Sequence, residues 1–250
     1  YDFIEKPFKA DRLLLMVERA IDSARLRREN EQLRRQVGND APLIGISNAI
    51  NQLKSAIQRV APTESRVIIS GPPGAGKEVV ARLLHNASAR RSKPLVVLNC
   101  ATMAPDRMEL ELFGSETDSD NTVVTGTFEQ ANDGTLLLDQ VADMPLETQG
   151  KIVRVLQEQR FQRVGGTAAI EVNVRVLAST NRDLQAEMAN GNFREDLYYR
   201  LCVVPIVVPS LKARPEDISV LIEFFMEAAA KSAGLAKREI ADDAMACLQS

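Results

Sequence analysis

Short apolar runs alternate with amphipathic segments along most of the chain. The segments between the runs repeat apolar residues every three or four positions. Short apolar runs predict buried strands, whereas the three-to-four spacing predicts helices that pack one face against a core. Strands that alternate with helices predict an α/β fold with a mostly parallel sheet and helices on both faces. The predicted strands are 67–69, 95–98, Thr135–Asp139, 174–179 and 203–208.

The segments between these strands predict helices, a hairpin and one loop. A hairpin is expected around Gly165 and Gly166, because paired glycines between short apolar runs favour a tight turn. Residues 115–121 are polar and acidic without periodicity, so they are predicted to form an irregular loop. The helical pattern at the end of the chain predicts a small helical subdomain. Helices are expected at Asn48–Val60, after Lys77, at Pro105–Phe113, at 146–159, and from Pro215 and Asp242 onward.

The first part of the chain combines a helical pattern with dense charge. A helix is predicted over 11–37, and the break at 38–42 marks a domain boundary. A solvated linker helix is one interpretation. A short dimerising coiled coil is the other, because heptad spacing with a lone Asn among apolar positions is typical of such seams. The positions with that spacing are Leu26, Asn30, Leu33 and Val37.

A glycine-rich turn joins the first predicted strand to a helix. Strand, glycine turn and helix are the context of a phosphate-binding P-loop, because the turn directs backbone N–H groups at an anion and the helix N-terminus adds roughly half a positive charge. Lys77 would reach the outer phosphates, while Glu78 stands where Ser or Thr usually offers a hydroxyl to Mg²⁺. A glycine turn without a ligand is the alternative. The turn consists of Gly71, Pro72, Pro73, Gly74, Ala75, Gly76 and Lys77.

An acid at the end of a buried strand is the second part of such a site. Asp139 closes the apolar TLLLD run and is the candidate Mg²⁺ ligand. ATPases of this type usually place Glu next, as the base that activates water, but here the neighbour is Gln140. An amide orients water without accepting its proton, and loss of a general base typically costs about 10²–10⁴ in rate. The residues therefore support binding of ATP and Mg²⁺ better than turnover.

The composition argues against several other classes of function. The chain has 250 residues and a net charge of −3, so no global basic character favours nucleic-acid binding by this segment. Its three cysteines form no CxxC pair and His85 is the single histidine, which disfavours zinc sites and His-based nucleophilic catalysis. No apolar run approaches the ~18 residues of a membrane span. The expectation is a cytoplasmic fragment of a longer protein, since the first residue is not Met.

Several motifs in order resemble one family. GPPGAGKEVVARLLH, LNCATM, ELFG, FEQANDGTLLLDQVADMP and FREDLYYRL are similar to the AAA+ domain of bacterial sigma-54-dependent response regulators of the NtrC type. The resemblance implies an AAA+ P-loop NTPase with a parallel five-stranded sheet over 41–211. It also implies the start of a helical lid over 212–250, a linker over 11–40, and the tail of a receiver domain over 1–10, where Lys6 matches the lysine that contacts the phosphorylated aspartate.

The same resemblance assigns roles to further residues. Asn99 matches the switch asparagine that senses the nucleotide, and Asn181 matches the sensor position near the γ-phosphate. Arg194 and Arg200 match the arginine fingers that reach a neighbouring subunit's ATP, which implies self-association as a dimer or a larger oligomer. Glu78 is usual in this family. One wall of the adenine pocket is matched by Ile44 and Gly45.

One departure narrows the resemblance to a branch. The family carries a GAFTGA loop that engages sigma-54, whereas this chain has the shorter, acidic SETDSDNTVVTGT. The NtrX-type branch lacks the loop and is the nearest resemblance, which implies a transcription regulator that does not engage sigma-54. Its implied partners are the membrane histidine kinase NtrY and promoter DNA, the latter through a helix-turn-helix outside this chain. The alternatives are an active ATPase that remodels RNA polymerase holoenzyme, and a dimerisation scaffold without nucleotide.

Overall fold

The computed structural model describes residues 42–117, 122–234 and 240–249. The predicted receiver tail, the linker helix and its coiled-coil alternative lie outside the described residues. Residues 118–121 of the acidic segment do so too. The described residues from Leu43 onward belong to one compact unit.

Five parallel strands form the central sheet, and two antiparallel pairs lie outside it. The strands are β1 (Val67–Ser70), β2 (Leu95–Asn99), β3 (Ser115–Thr117), β4 (Thr122–Val124), β5 (Thr135–Asp139), β6 (Arg160–Gln162), β7 (Ala169–Glu171), β8 (Arg175–Thr180) and β9 (Val204–Val207). The sheet has the order β2-β5-β8-β1-β9, while β3 pairs with β4 and β6 with β7. All five predicted strands of the parallel sheet are confirmed, as is the hairpin around Gly165 and Gly166.

Helices connect the strands and cover both faces of the sheet. They are α1 (Asn48–Val60), α2 (Lys77–Asn86), α3 (Pro105–Phe113), α4 (Thr127–Gln130), α5 (Leu146–Glu158), α6 (Leu184–Ala189), α7 (Glu195–Leu201), α8 (Asp217–Ala233) and α9 (Asp242–Gln249). The short helices α4, α6 and α7 were not predicted, because fewer than two turns give too little periodicity. Within the described residues, no helix has both the length and the apolar character that a membrane span needs.

Alternating side chains of the strands build two separate apolar layers. In β5, Leu137 points into the layer formed with α1 and α2, whereas Leu136 and Leu138 point into the layer beneath α3, α5 and α7. All three are fully buried, and burial of one such side chain contributes about 1.5–3 kcal/mol. The second layer contains a cluster of aromatic rings with centroids 5.6–5.9 Å apart, formed by Phe113, Phe128 and Phe161.

A buried arginine fixes the end of α1 beside the sheet. Arg175, at the start of β8, donates to the carbonyl oxygens of Val60 (3.2 Å), Ala61 (2.8 Å) and Ser65 (3.3 Å). These groups include carbonyls that have no acceptor role inside the helix, so the guanidinium satisfies them. Burial is the main cause of the lowered pKa of Arg175.

The acidic segment departs from its prediction. An irregular loop was expected over 115–121, but Ser115–Thr117 is a strand paired with Thr122–Val124, so the prediction is wrong for those residues. The hydrophobic pattern did not predict this strand, because it is only three residues long and wholly polar. Backbone bonds hold the pair against the β6–β7 hairpin: Glu116 N–H donates to Val164 O (2.9 Å), and Val164 N–H donates to Gly114 O (3.1 Å).

Candidate functional site

The carboxyl ends of the parallel strands bring the predicted polar residues to one edge of the sheet. Asn99 ends β2 and lies in register with Asp139, which ends β5. Asn181 follows β8, the strand between β5 and β1, and Gly71 follows β1. Ligands of open α/β sheets bind at this edge, outside the carboxyl ends of the strands.

The glycine turn has the backbone that a phosphate cradle needs. Gly74 and Gly76 have φ of +74° and +99°, a region that residues with a Cβ avoid, and Gly76 directly precedes α2. Gly71 is required for a different reason. A Cβ there would lie 2.6 Å from the backbone oxygen of Val208, which follows β9. The loop therefore depends on glycine for both its turns and its close approach to a neighbouring strand.

Lys77 is buried beneath this loop. Its Nζ donates to Gly71 O at 2.9 Å and to Pro72 O at 3.0 Å, and the residue is 6% exposed. Burial lowers the pKa of Lys77, while the charge of Asp139 opposes that shift. The next residue, Glu78, is exposed and forms an ion pair with Arg82 at 2.7 Å. Lys77 therefore lies at the N-terminus of α2 with its ammonium group held by the loop.

Both oxygens of the Asp139 carboxylate accept hydrogen bonds. Asn99 Nδ2 donates to Oδ2 at 3.2 Å, and the hydroxyl of Ser179, in β8, donates to Oδ1. Ser179 is fully buried and also accepts from the backbone N–H of Gln140 at 3.3 Å. Among the described residues, no three or more His, Cys, Asp or Glu side chains are grouped so that they could hold a metal ion by themselves. Mg²⁺ that accompanies a nucleotide is commonly held by one or two carboxylates together with phosphate oxygens, and Asp139 is the candidate carboxylate here.

Gln140 adopts an unusual backbone conformation beside Asp139. Its φ of +56° and ψ of +51° lie in the left-handed region, which costs about 1–2 kcal/mol for a residue with a Cβ. Its Oε1 is buried and has no hydrogen-bond partner among the described residues. Backbone strain and an unpaired buried acceptor both favour a functional position.

The two candidate arginine fingers belong to one short segment: Arg194 is the N-cap of α7, and Arg200 lies within that helix. Arg194 precedes α7 and forms two bonds to Asp196 of the same chain, from Nε (3.0 Å) and Nη2 (2.8 Å). These bonds raise the pKa of Arg194 and lower that of Asp196. Arg200 lies in the last turn of α7. Its backbone oxygen accepts from Arg66 Nη1 at 3.2 Å.

The wall residues Ile44 and Gly45 adjoin a buried carboxylate that the sequence did not single out. Asp217, the first residue of α8, is fully buried and accepts from Ile46 N–H (2.6 Å), Ser47 N–H (2.7 Å) and the Ser47 hydroxyl (2.7 Å). A Cβ on Gly45 would lie 2.7 Å from this carboxylate. Burial raises the pKa of Asp217, but the hydrogen bonds outweigh it and hold the pKa below the usual value.

Arg214 completes this second group of polar residues. It is 5% exposed, and its Nη2 donates to the backbone oxygen of Ala75, in the glycine turn, at 3.2 Å. Its Nη1 lies 3.8 Å from Asp217 Oδ2. Ser179, Arg214 and Asp217 were all missed at the sequence level. For Arg214 and Asp217 the available signal was a charge pair three residues apart, which by itself favours a solvated surface.

The fold and this edge define a P-loop NTPase of the AAA+ class. Comparison with known proteins agrees: residues 43–207 match the family model of the sigma-54 interaction domain. The chain belongs to that family.

Two bacterial regulatory proteins are similar to this chain in sequence. The chain is 50% identical over 250 residues to the nitrogen assimilation regulatory protein NtrX of Azorhizobium caulinodans, covering 100% of this chain and 55% of the relative. It is 40% identical over 233 residues to the regulatory protein AtoC of Escherichia coli, covering 91% and 50%. The chain therefore spans about half the length of these relatives, and the resemblance to NtrX-type regulators is confirmed.

Solved structures of NtrX from Brucella abortus share the fold. The complex with ADP has a TM-score of 0.86 at 54% identity, and the complex with ATP has 0.84 at 53%. Each covers 100% of this chain, and the chain covers 56% and 57% of those proteins. The predicted fold class, a parallel five-stranded AAA+ sheet flanked by helices, is confirmed.

Proposed function

We propose that this chain is the ATP-binding domain of a response regulator that controls transcription. The observation that carries the proposal is the junction of Lys77, the glycine turn and Asp139 at one edge of the sheet. Lys77 and the turn offer positive charge and N–H donors to phosphates, while Asp139 offers a carboxylate to Mg²⁺. NtrX structures that hold ADP and ATP on the same fold support the proposal. In the bound state, Asn181 would face the γ-phosphate, and Ile44 and Gly45 would face adenine.

Hydrolysis by this site is expected to be weak. ATP–Mg²⁺ supplies the phosphoryl group, and the residue beside Asp139 determines how water is activated. Gln140 orients water through its amide but accepts no proton, so the site lacks the usual base. Asn99, bonded to the carboxylate of Asp139, would sense the state of the nucleotide. An active ATPase that remodels RNA polymerase holoenzyme remains the rival function.

Self-association would complete the site. Arg194 and Arg200 would reach the nucleotide of a neighbouring subunit, where a guanidinium neutralises phosphate charge. Arg194 would have to exchange its bonds to Asp196 for bonds to phosphate. Binding and assembly would therefore depend on each other, and ATP together with phosphorylation of the receiver domain would tune the assembly.

The remaining partners are proposed from the relatives. As an NtrX-type regulator, the full protein would be cytoplasmic, with a receiver domain that includes 1–10, a linker over 11–40, an AAA+ domain over 41–211 and a lid that starts at 212–250. The kinase NtrY would phosphorylate the receiver, and a helix-turn-helix would bind promoter DNA. Sigma-54 is not an expected partner, despite the family's name, because the shorter, acidic segment SETDSDNTVVTGT stands where the family carries its GAFTGA loop.

Calorimetric titration of the chain with ATP and Mg²⁺ tests the proposal. The wild-type chain is expected to bind ATP, and Lys77→Met should weaken binding by about 100-fold or more, since charge-assisted bonds to phosphate are lost. Lys93→Met, at an exposed lysine 3.8 Å from Asp133, is the matched control and should leave affinity unchanged. Absence of binding by the wild type would favour the nucleotide-free scaffold.

Steady-state hydrolysis separates the binding module from the active ATPase. The wild type is expected to turn over slowly, and Gln140→Glu should raise the rate by at least about tenfold by restoring a base. Fast wild-type turnover that Lys77→Met abolishes would instead establish the ATPase.

A further inference from the structure

Three segments that are distant in sequence meet behind the glycine turn. They are the wall segment 44–47, the turn that precedes α2, and the Arg214–Asp217 pair at the start of α8. The two charged side chains of that pair are 5% and 0% exposed. Charged groups are rarely so buried without a specific role, because burial of a charge costs several kcal/mol unless it is paired and hydrogen-bonded.

The guanidinium of Arg214 is hydrogen-bonded to the backbone of the glycine turn. Its bond to the Ala75 carbonyl fixes the backbone one residue before Gly76, whose left-handed φ directs the chain into α2. Among the described residues, Nε of Arg214 is buried without a hydrogen-bond partner. A buried N–H of a charged group without a protein acceptor is costly, and such groups are typical of functional positions more than of ordinary cores.

The carboxylate of Asp217 serves the wall segment instead. Three bonds of 2.6–2.7 Å tie it to Ile46 and Ser47, and Ser47 in turn caps α1 by accepting from Ile50 N–H at 3.2 Å. Gly45 allows the close approach, because any Cβ at that position would collide with the carboxylate. The position of the wall therefore depends on the first residue of α8.

We propose that Arg214 and Asp217 are positioning residues for the two ends of a bound nucleotide. Arg214 holds the phosphate-binding turn through Ala75, and Asp217 holds the base-binding wall through Ile46 and Ser47. Because both belong to one short segment at the start of α8, nucleotide binding fixes the lid relative to the turn. The proposal rests on the ATP-binding function proposed above and deepens it.

A competition experiment on the whole chain separates the two roles. A fluorescent ATP analogue is displaced either by ATP, which uses both ends of the site, or by inorganic tripolyphosphate, which uses the turn alone. Arg214→Met should weaken both competitors by about tenfold or more, as expected for loss of a charged hydrogen bond. Asp217→Asn should weaken ATP by a similar factor and leave tripolyphosphate within about twofold.

Two further variants keep the test decisive. Lys212→Met, an exposed position in the 3₁₀ turn before Arg214, should leave both competitors unchanged. Arg214→Lys keeps the charge but loses the planar fork, so it should fold even where Arg214→Met does not, and should show a smaller loss for both competitors.

The outcomes distinguish this proposal from the function on which it rests. A wild-type chain that binds no ATP would defeat the function and the proposal together. ATP binding by the wild type, with a lowered unfolding temperature but unchanged affinities in the Arg214 variants, would show a purely structural arginine. Equal loss of ATP and tripolyphosphate in Asp217→Asn would overturn the division between the two ends.

Discussion

Two polar regions of this molecule differ in whether their polar and charged side chains have partners within the chain. In the hairpin region, where β3–β4 meets β6–β7, Arg163 Nη2 lies 2.6 Å from Glu129 Oε2 and its Nη1 lies 3.5 Å from Glu116 Oε2. At the nucleotide edge, Gln140 Oε1 and Arg214 Nε are buried without partners among the described residues. The first region has paired its groups within the chain. The second leaves two buried polar atoms without a partner within the described residues, and such departures from folding rules are expected at functional sites.

The largest effect should come from the aromatic cluster that supports the hairpin region. Phe128 is 1% exposed and stacks on Phe113 with centroids 5.7 Å apart. Phe128→Ala should lower the free energy of unfolding by about 3–5 kcal/mol, because it leaves a cavity in a packed core. Nucleotide affinity, measured by titration below the unfolding transition, should stay unchanged. A loss of affinity comparable to that of Lys77→Met would show that the hairpin region and the nucleotide edge are coupled, which would contradict the distinction between them.

A smaller effect on stability, with a larger one on binding, is expected at the glycine turn. Gly71→Ala places a methyl group 2.6 Å from a backbone oxygen and should cost about 1–3 kcal/mol of unfolding free energy. It should also weaken ATP binding, since the turn must shift. Denaturant unfolding and titration measure the two effects.

Gly74→Ala is the matched control for that change. Its Cβ meets nothing within 4 Å, so only the positive φ costs energy, about 1–2 kcal/mol. A Gly74→Ala protein that loses as much affinity as Gly71→Ala would show that backbone conformation, and not the approach to Val208, governs the turn.

The smallest effect concerns the acid response of Asp217. Its folded-state pKa lies below the unfolded value of about 3.9, so the carboxylate stabilises the fold above that pH and loses this contribution as pH falls through the folded pKa. The wild type should therefore lose stability more steeply below about pH 4 than Asp217→Asn. Unfolding curves measured between pH 7 and pH 3 would show the two proteins converging. Parallel curves would contradict the depressed pKa.

The parts of the molecule that could be predicted share a physical reason. Strands such as Thr135–Asp139 are continuous apolar runs, and the glycine turn needs residues that few other structures need, so both leave a local signal. Ser179 leaves none and Asp217 leaves only its spacing from Arg214, because a hydroxyl in a strand and an acid at the start of a helix are common. Their roles arise only when β8 is placed beside β5 and α8 beside the wall segment. The prediction of a loop for Ser115–Thr117 was wrong for the same reason, because these residues form a strand only through their pairing partners and their own pattern gives no sign of it.

Within one subunit, Arg66 links the strand that leads to the glycine turn with the helix that contains Arg200. It lies one residue before β1 and donates to the carbonyl oxygens of Leu156 (2.8 Å), in α5, and Arg200 (3.2 Å), in α7. The start of the strand that leads to the glycine turn is thus hydrogen-bonded to α7, the helix that contains Arg200. In the assembly proposed above, a movement of β1 on ligand binding would therefore be transmitted through Arg66 to Arg200, one of the two candidate arginine fingers.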